Sequence, residues 1–161
     1  MSYNVLAIGA HPDDIEFGCF GTLKKHLNDG DNVTMVVMTQ SDVKDAHTQQ
    51  VTRDSSQSVI EAHNAADVIG AELILGPFQD TKVPFDNQSV AFLEKIIKEK
   101  KIDIIYTHWA GDTHQDHINT PIEFLTQLAS LSKYFHLMSD EDRDYVNCAK
   151  EALEDQIEWR I

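Results

Sequence analysis

Two short clusters of histidine and aspartate residues, far apart in the chain, are the groups best suited to chemistry. The first is His11-Pro12-Asp13-Asp14, which directly follows an apolar run at residues 5–9. The second is His114-Gln115-Asp116-His117, which follows an apolar run at residues 102–106. Imidazole nitrogens and carboxylate oxygens are ligands of zinc in hydrolases. The two clusters therefore predict one metal site, provided that the fold brings them together.

The first cluster contains both metal ligands and a free carboxylate. A zinc hydrolase needs about three protein ligands and an open position for water, whose pKa falls to about 7 on binding. His11, Asp14 and His117 can supply these ligands. Pro12 suits the first turn of a helix, which would place Asp13 and Asp14 at a helix N-terminus that favours ionised carboxylates. Asp13 could then accept a proton from the water as the general base.

The second cluster adds a candidate acid. His114 and His117 are three residues apart, so on a helix they share a face. His114, beside the metal but not bound to it, could stabilise an oxyanion and protonate a leaving amine. Asp116 could orient either imidazole through its other nitrogen. The other histidines are interpreted as ordinary surface or core residues: His26, His47, His63, His108 and His136.

The elements that must position these clusters alternate between strand and helix. Apolar runs separated by segments of helical period indicate βαβ units and a parallel sheet, an α/β fold. Open sheets of this kind bind ligands at the carboxyl ends of their strands, which is where both clusters fall. The predicted strands are residues 4–9, 33–39, 72–75 and 103–107. The predicted helices are residues 15–27, about 49–69 and 86–101, with Gly30 and Gly70 ending the first two.

Composition limits the class of protein. The length of 161 residues suggests one domain, 1–161, and the 42% hydrophobic content is that of a globular protein. A net charge of −14 would repel phosphates, so neither nucleic acid nor an anionic membrane is an expected partner. No basic leader or long apolar span is present, which predicts a cytoplasmic location. Cys19 and Cys148 form no disulfide framework, and Cys19 is interpreted as a packing residue.

The segment from Pro121 onward predicts helices rather than further strands. Residues 122–131 and 140–159 have helical patterns, and the second is strongly acidic. This helix could pack on its own domain or bind a partner or a second copy of the chain. Its apolar side chains at spacings of three and four are Val146, Ala149, Leu153 and Ile157.

The motifs resemble those of a known family. Residues 10–21, with the pattern Ala-His-Pro-Asp-Asp-x-Glu-x-Gly-x-x-Gly, and the later His114-x-Asp116-His117 are similar to the LmbE-like, or PIG-L, zinc-dependent N-deacetylases. These enzymes are hydrolases that cleave linear amide bonds in N-acetylglucosamine conjugates and related sugars. The resemblance covers about residues 3–120 and implies a Rossmann-like sheet. It also implies zinc held by His11, Asp14 and His117, with Asp13 as base and His114 as acid or electrophile.

The chain departs from the family pattern in places that concern the substrate. An arginine commonly stands three residues before a helical glutamate, but counting back from Glu61 gives Ser58, which leaves Arg53 as a substitute. Asp80 resembles a family aspartate near the sugar pocket. We therefore assign Arg53 and Asp80 to substrate binding, with exposed surface charges as the alternative. Family members are usually longer and continue with further strands, whereas the match here fades after Thr120.

The resulting prediction is a metal-dependent N-deacetylase of a small N-acetylated sugar conjugate. Its cofactor is Zn²⁺, with another divalent transition metal as the alternative. A non-catalytic zinc- or sugar-binding relative that docks a partner through its acidic C-terminal helix is the second hypothesis. A Mg²⁺-dependent phosphatase is weaker, because histidine ligands do not favour a hard cation. Related proteins often assemble, so a homo-oligomer is left open.

Overall fold

The structure is a computed structural model that describes residues 2–40, 42–45, 47–48, 50–109 and 111–120. The two helices expected at 122–131 and 140–159 lie outside these residues. The strands are β1 Asn4–Gly9, β2 Asn32–Thr39, β3 Val43–Lys44, β4 Val51–Arg53, β5 Glu72–Phe78 and β6 Ile104–Tyr106. The helices are α1 Asp14–Gly18, α2 Phe20–Asn28, α3 Ser55–Ile69 and α4 Asn87–Lys100, followed by α5, which begins at residue 115 and is described to 120.

Four of the strands form a parallel sheet in the order β5-β2-β1-β6, which confirms the predicted α/β fold. β1 is central, and its Val5 is paired with Val33 on one side and Ile104 on the other. The chain builds outward from β1 to β2 and β5 and then returns to place β6 beside β1. The gap between the carboxyl ends of β1 and β6 is therefore the switch point of the sheet, where such folds bind ligands.

The sheet separates two hydrophobic cores, because successive side chains of a strand point to opposite faces. In β1, Val5 and Ala7 pack with α1, α2 and α3, whereas Leu6 and Ile8 pack with α4. All four side chains are buried. A central strand that is apolar on both faces is typical of a parallel sheet covered by helices, and it fixes the position of the loop that follows Gly9.

Two of the helix predictions were wrong in their bounds. The helix expected at 15–27 is interrupted at Cys19, whose φ of −143° separates α1 from α2. Gly18 precedes this break, and glycine has a low helix propensity. The helix expected from about residue 49 begins only at Ser55, after the N-cap Asp54. β-branched residues of 51–53 instead form β4, which pairs antiparallel with β3.

Other helix ends follow the predicted signals. Gly70 ends α3 with a positive φ of 86°, which glycine adopts readily. Asp86 begins α4 with a capping box that it forms with Ser89. Within the part of the chain that the structure describes, no helix is long and apolar enough to cross a lipid bilayer.

Candidate metal centre

The loop after β1 holds the first cluster at the carboxyl edge of the sheet. Ala10 O accepts hydrogen bonds from the backbone N and Oγ1 of Thr39, at 3.0 and 2.9 Å, which ties the loop to β2. A side chain at Gly9 would lie 3.0 Å from Ile15 and 3.1 Å from Asp14, so glycine allows the chain to turn directly into α1. Asp13 then precedes α1 with a φ of 117°, a strained conformation for a residue other than glycine.

Side chains of three residues from the two clusters converge. His11 Nδ1 lies 3.2 Å from His117 Nε2. Asp14 turns one oxygen to each imidazole, with Oδ2 3.6 Å from His11 Nδ1 and Oδ1 3.4 Å from His117 Nε2. We call these atoms the donor triad. Ligands at 2.0–2.1 Å from a tetrahedral zinc are about 3.4 Å apart, so these separations fit a zinc ion.

Carboxylates hydrogen-bond to the ring nitrogen of each histidine that does not belong to the donor triad, and this determines which nitrogen carries the proton. His117 Nδ1 lies 3.0 Å from Asp112 Oδ2. His11 Nε2 lies 3.0 Å from both Asp80 Oδ1 and Asp116 Oδ2. Because a carboxylate accepts hydrogen bonds, these nitrogens carry the protons. His11 Nδ1 and His117 Nε2 then present lone pairs to each other and to Asp14, an arrangement that favours a cation between them.

The pKa values of His11 and Asp14 also show that this site stabilises positive charge. Burial disfavours the imidazolium form of His11, but hydrogen bonds to Asp14 and Asp116 outweigh it and raise the pKa of His11 to about 9. Burial would also raise the pKa of Asp14, yet contacts with His108 and His11 lower it well below the usual range. Without a metal, a proton on His11 therefore supplies the charge that the carboxylates require.

Asp116 differs from its predicted orienting role. The hydrogen bonds of its carboxylate go to the loop at residues 79–83 rather than to His114 or His117: Oδ2 accepts from the backbone N of Thr81 at 2.7 Å and Oδ1 accepts from that of Val83 at 3.0 Å. Asp116 is fully buried, and the imidazole at its Oδ2 is that of His11. The carboxylate at Nδ1 of His117 is that of Asp112, a residue outside both sequence clusters.

His108 was wrongly interpreted as an ordinary histidine. Its ring stacks on that of His117, with centroids 4.1 Å apart and planes within 8°. Its Nε2 lies 2.9 Å from the backbone N of Ala10 and 3.1 Å from Asp14 Oδ2. A single nitrogen cannot both accept from Ala10 and donate to Asp14, so only one contact is a hydrogen bond in either tautomer. The position of His108 just after β6 was the available signal in the sequence.

Asp13 and His114 stand beside the donor triad. Burial, followed by the charge of Asp14, raises the pKa of Asp13 above that of a free carboxyl group, and Arg53 opposes this rise. The backbone N of Asp116 donates to His114 Nδ1 at 3.3 Å, which leaves the proton of the neutral ring on Nε2. The pair therefore offers one proton acceptor and one hydrogen-bond donor next to the donor triad.

A pocket of about 360 Å³ opens onto these groups. Arg53 reaches it from β4 and donates through Nη1 to Glu61 Oε2 at 3.2 Å, so the arginine–glutamate pair is formed from a hairpin and a helix. Its Nε is buried without a hydrogen-bond partner among the described residues. Of the predicted site residues, Asp116 alone is not in the pocket wall. The lining residues are His11, Pro12, Asp13, Asp14, Thr39, Arg53, Asp80, His114 and His117.

Comparison with known proteins adds relatives with the same fold. The chain is 34% identical over 125 residues to the uncharacterized deacetylase YaiS of Escherichia coli (strain K12), a match that covers 71% of this chain and 62% of that protein. N,N'-diacetylchitobiose deacetylase from Pyrococcus horikoshii superposes with a TM-score of 0.68 at 24% identity, over 80% of this chain and 50% of its own. The chain thus spans only part of the length of these relatives.

The fold alone does not fix the reaction. GalB, the 4-carboxy-2-hydroxymuconate hydratase from Pseudomonas putida KT2440, superposes with a TM-score of 0.69 at 16% identity, over 79% of this chain and 55% of its own. Family membership therefore rests on the sequence match rather than on these superpositions. The PIG-L family model, described as GlcNAc-PI de-N-acetylase, matches residues 6–127. On that match, which includes both histidine–aspartate clusters, the chain belongs to the PIG-L family.

Proposed function

We propose that the chain is a metal-dependent hydrolase that removes the acetyl group from an N-acetylated sugar or sugar conjugate. The observation that carries this proposal is the donor triad, in which lone pairs of His11, Asp14 and His117 converge at separations of 3.2 to 3.6 Å. These residues would hold the ion. Two nitrogens and a carboxylate suit zinc, and another divalent transition metal is the alternative.

The chemistry divides between the ion and the pocket residues. When bound, the metal would lower the pKa of a water molecule and polarise the acetyl carbonyl. Asp13 would accept the proton of that water, a task favoured by the raised pKa of its carboxyl group. His114, with its proton on Nε2, would donate a hydrogen bond to the developing oxyanion, and the proton that Asp13 takes from the water would pass to the departing amine. Acetate and a free amine are the products.

The relatives and the polar wall of the pocket support this substrate class. The family description concerns an N-acetylglucosamine conjugate, and the Pyrococcus relative acts on diacetylchitobiose. Arg53 and Asp80 would bind hydroxyl groups of the sugar, because both line the pocket beside the donor triad.

The test is acetate release by the zinc-loaded protein from a panel of N-acetylglucosamine, N,N'-diacetylchitobiose and N-acetylglucosaminyl glycosides. Asp13→Asn should retain zinc, measured by elemental analysis, but lose about 10²- to 10⁴-fold in turnover, because asparagine cannot accept the proton. Asp67→Asn, at an exposed aspartate of α3, is the matched control and should be fully active.

Two results would contradict the proposal. Undiminished turnover by Asp13→Asn would remove this residue from the role of base. Tight zinc binding by the wild-type protein, with no acetate released from any member of the panel, would favour a non-catalytic zinc- or sugar-binding protein instead.

A further inference from the structure

We propose that Gln115 and Asn119 are positioning residues of the metal site, because they hold residues 79–83, here called the Asp80 loop, in the conformation that sets Asp80 and Asp116 against His11. This inference rests on the metal site proposed above. Neither amide side chain is among the pocket-lining residues. Both act on the backbone of the Asp80 loop.

The contacts form a clamp around the backbone of two residues of that loop, Thr81 and Val83. Gln115 Nε2 donates to Thr81 O, while the backbone N of Thr81 donates to Asp116 Oδ2 at 2.7 Å. Asn119 Nδ2 donates to Val83 O at 2.8 Å, and the backbone N of Val83 donates to Asp116 Oδ1 at 3.0 Å. One face of α5 thus binds both the N–H and the C=O of Thr81 and of Val83.

The clamped conformation is one that the loop would not prefer by itself. Thr81 has a φ of 60°, in the left-handed region, which is unfavourable for a β-branched residue. A residue held in such a conformation requires surrounding contacts that determine it. Two of the four contacts with α5 are made by Thr81 itself and two by Val83, two residues later, so they are the means by which the strained backbone is retained.

The clamp is connected to the metal site through His11. Asp80, the residue before Thr81, places Oδ1 3.0 Å from His11 Nε2, and Asp116 places Oδ2 at the same distance. If the loop relaxed, Asp80 would move away from His11, and Asp116 would lose a backbone donor. Carboxylates of this kind orient a metal-binding imidazole and increase its basicity. The loop conformation therefore controls how His11 Nδ1 is presented.

α5 also contributes His117 to the donor triad, on a different face from the one that contacts the Asp80 loop. His117 belongs to the donor triad, and Gln115, Asp116 and Asn119 follow the helical spacing that groups residues three and four apart. The end of the loop is fixed as well, because Val83 is buried in the core beneath α4. A shift between α5 and the Asp80 loop would thus disturb His11 and His117 together.

The test is a zinc titration by calorimetry of the wild-type protein, Gln115→Ala and the double variant Gln115→Ala/Asn119→Ala. Loss of groups that support a metal ligand lowers affinity by about 10- to 100-fold, and we expect about tenfold for the double variant. The absorption bands of the Co²⁺-substituted protein should shift as well, since they report the ligand geometry. Gln115 is exposed, so its single variant is expected to fold. Gln88→Ala, at an exposed glutamine of α4, is the matched control.

A rescue substitution at Thr81 distinguishes loss of the Asp80 loop conformation from a general loss of protein stability. Asparagine enters the left-handed region more readily than threonine, without the flexibility of glycine. Adding Thr81→Asn to the double variant should therefore restore zinc affinity to within about threefold of wild type and return the Co²⁺ bands.

Two results would overturn the inference, and a third would overturn the proposed function with it. Unchanged affinity and Co²⁺ bands in the double variant would show that the amides do not position His11. A loss that Thr81→Asn does not restore would show that the strained backbone is not what the clamp retains. Failure of the wild-type protein to bind zinc would remove the metal site itself.

Discussion

At the scale of single residues, the positions of the ring protons on His11 and His117 determine which nitrogens can bind a cation. Asp112 fixes the proton of His117 on Nδ1, while Asp80 and Asp116 fix that of His11 on Nε2. The bare nitrogens then face one another at 3.2 Å. Without a positive charge between them this contact would be repulsive, so the arrangement is suited to a cation.

This arrangement predicts competition between zinc and a proton at His11. The pKa of His11 in the metal-free protein is about 9, raised above its ordinary value of 6.5. Zinc requires the neutral imidazole, so below pH 9 it must displace a proton. We expect zinc affinity to rise by about tenfold per pH unit between about pH 7 and 9 and then to level off. Calorimetry in buffers of different ionisation enthalpy measures the protons released, and an affinity independent of pH in this range would contradict the assignment.

The residue types and spacing were sufficient to predict the donor triad but not its surroundings. His11, Asp14 and His117 are recognised because they follow strand ends within short motifs. His108 follows the end of β6 but belongs to no short motif, and Asp112 is isolated in sequence and is recognised only through its contact with His117. The partner of Asp116 could not be derived either, since its burial depends on the Asp80 loop, which is distant in sequence.

At the scale of elements, the contact between β2 and β5 supports the edge of the sheet next to the site. The register between these strands shifts between Val37 and Thr39, and Thr39 holds the loop after β1 through Ala10. Gly76 lies in β5 against this irregular part of β2. A β-carbon at Gly76 would come within 2.4 Å of the backbone oxygen of Met38.

Gly76→Ala is therefore expected to lower the free energy of unfolding by about 1–3 kcal/mol, because backbone atoms of β2 would have to move. Gly21→Ala is the matched control, since it lies in α2 with no atom within 4 Å of its added carbon. It should raise stability by about 0.5–1 kcal/mol through its better helix propensity. Urea unfolding of the metal-free proteins measures both, and a similar effect of the two substitutions would contradict the close contact at Gly76.

The elements themselves were predictable where periodicity was strong. All four strands of the sheet were identified, because buried parallel strands are continuous apolar runs. The hairpin of β3 and β4 was missed, since its strands are only two and three residues long and have little periodicity. Without the hairpin, the contact between Arg53 and Glu61 could not be predicted, because it requires β4 to lie beside α3.

At the scale of the whole molecule, the switch point of the sheet explains why clusters distant in sequence form one centre. β1 and β6 are neighbours, so the segments that follow them meet at the same edge. The net charge of −14 accompanies an acidic centre that contains Asp14, Asp80 and Asp116. A divalent cation would reduce the repulsion among these carboxylates.

A zinc titration of the metal-free protein shows whether the two clusters form a single metal site. Wild-type protein and His63→Ala, at an exposed histidine of α3, should each bind one zinc ion per chain. His117→Ala should remain folded by circular dichroism and lose tight binding, because it removes the ligand that α5 contributes. Tight binding of one zinc by His117→Ala, or no binding by the wild-type protein, would contradict the account.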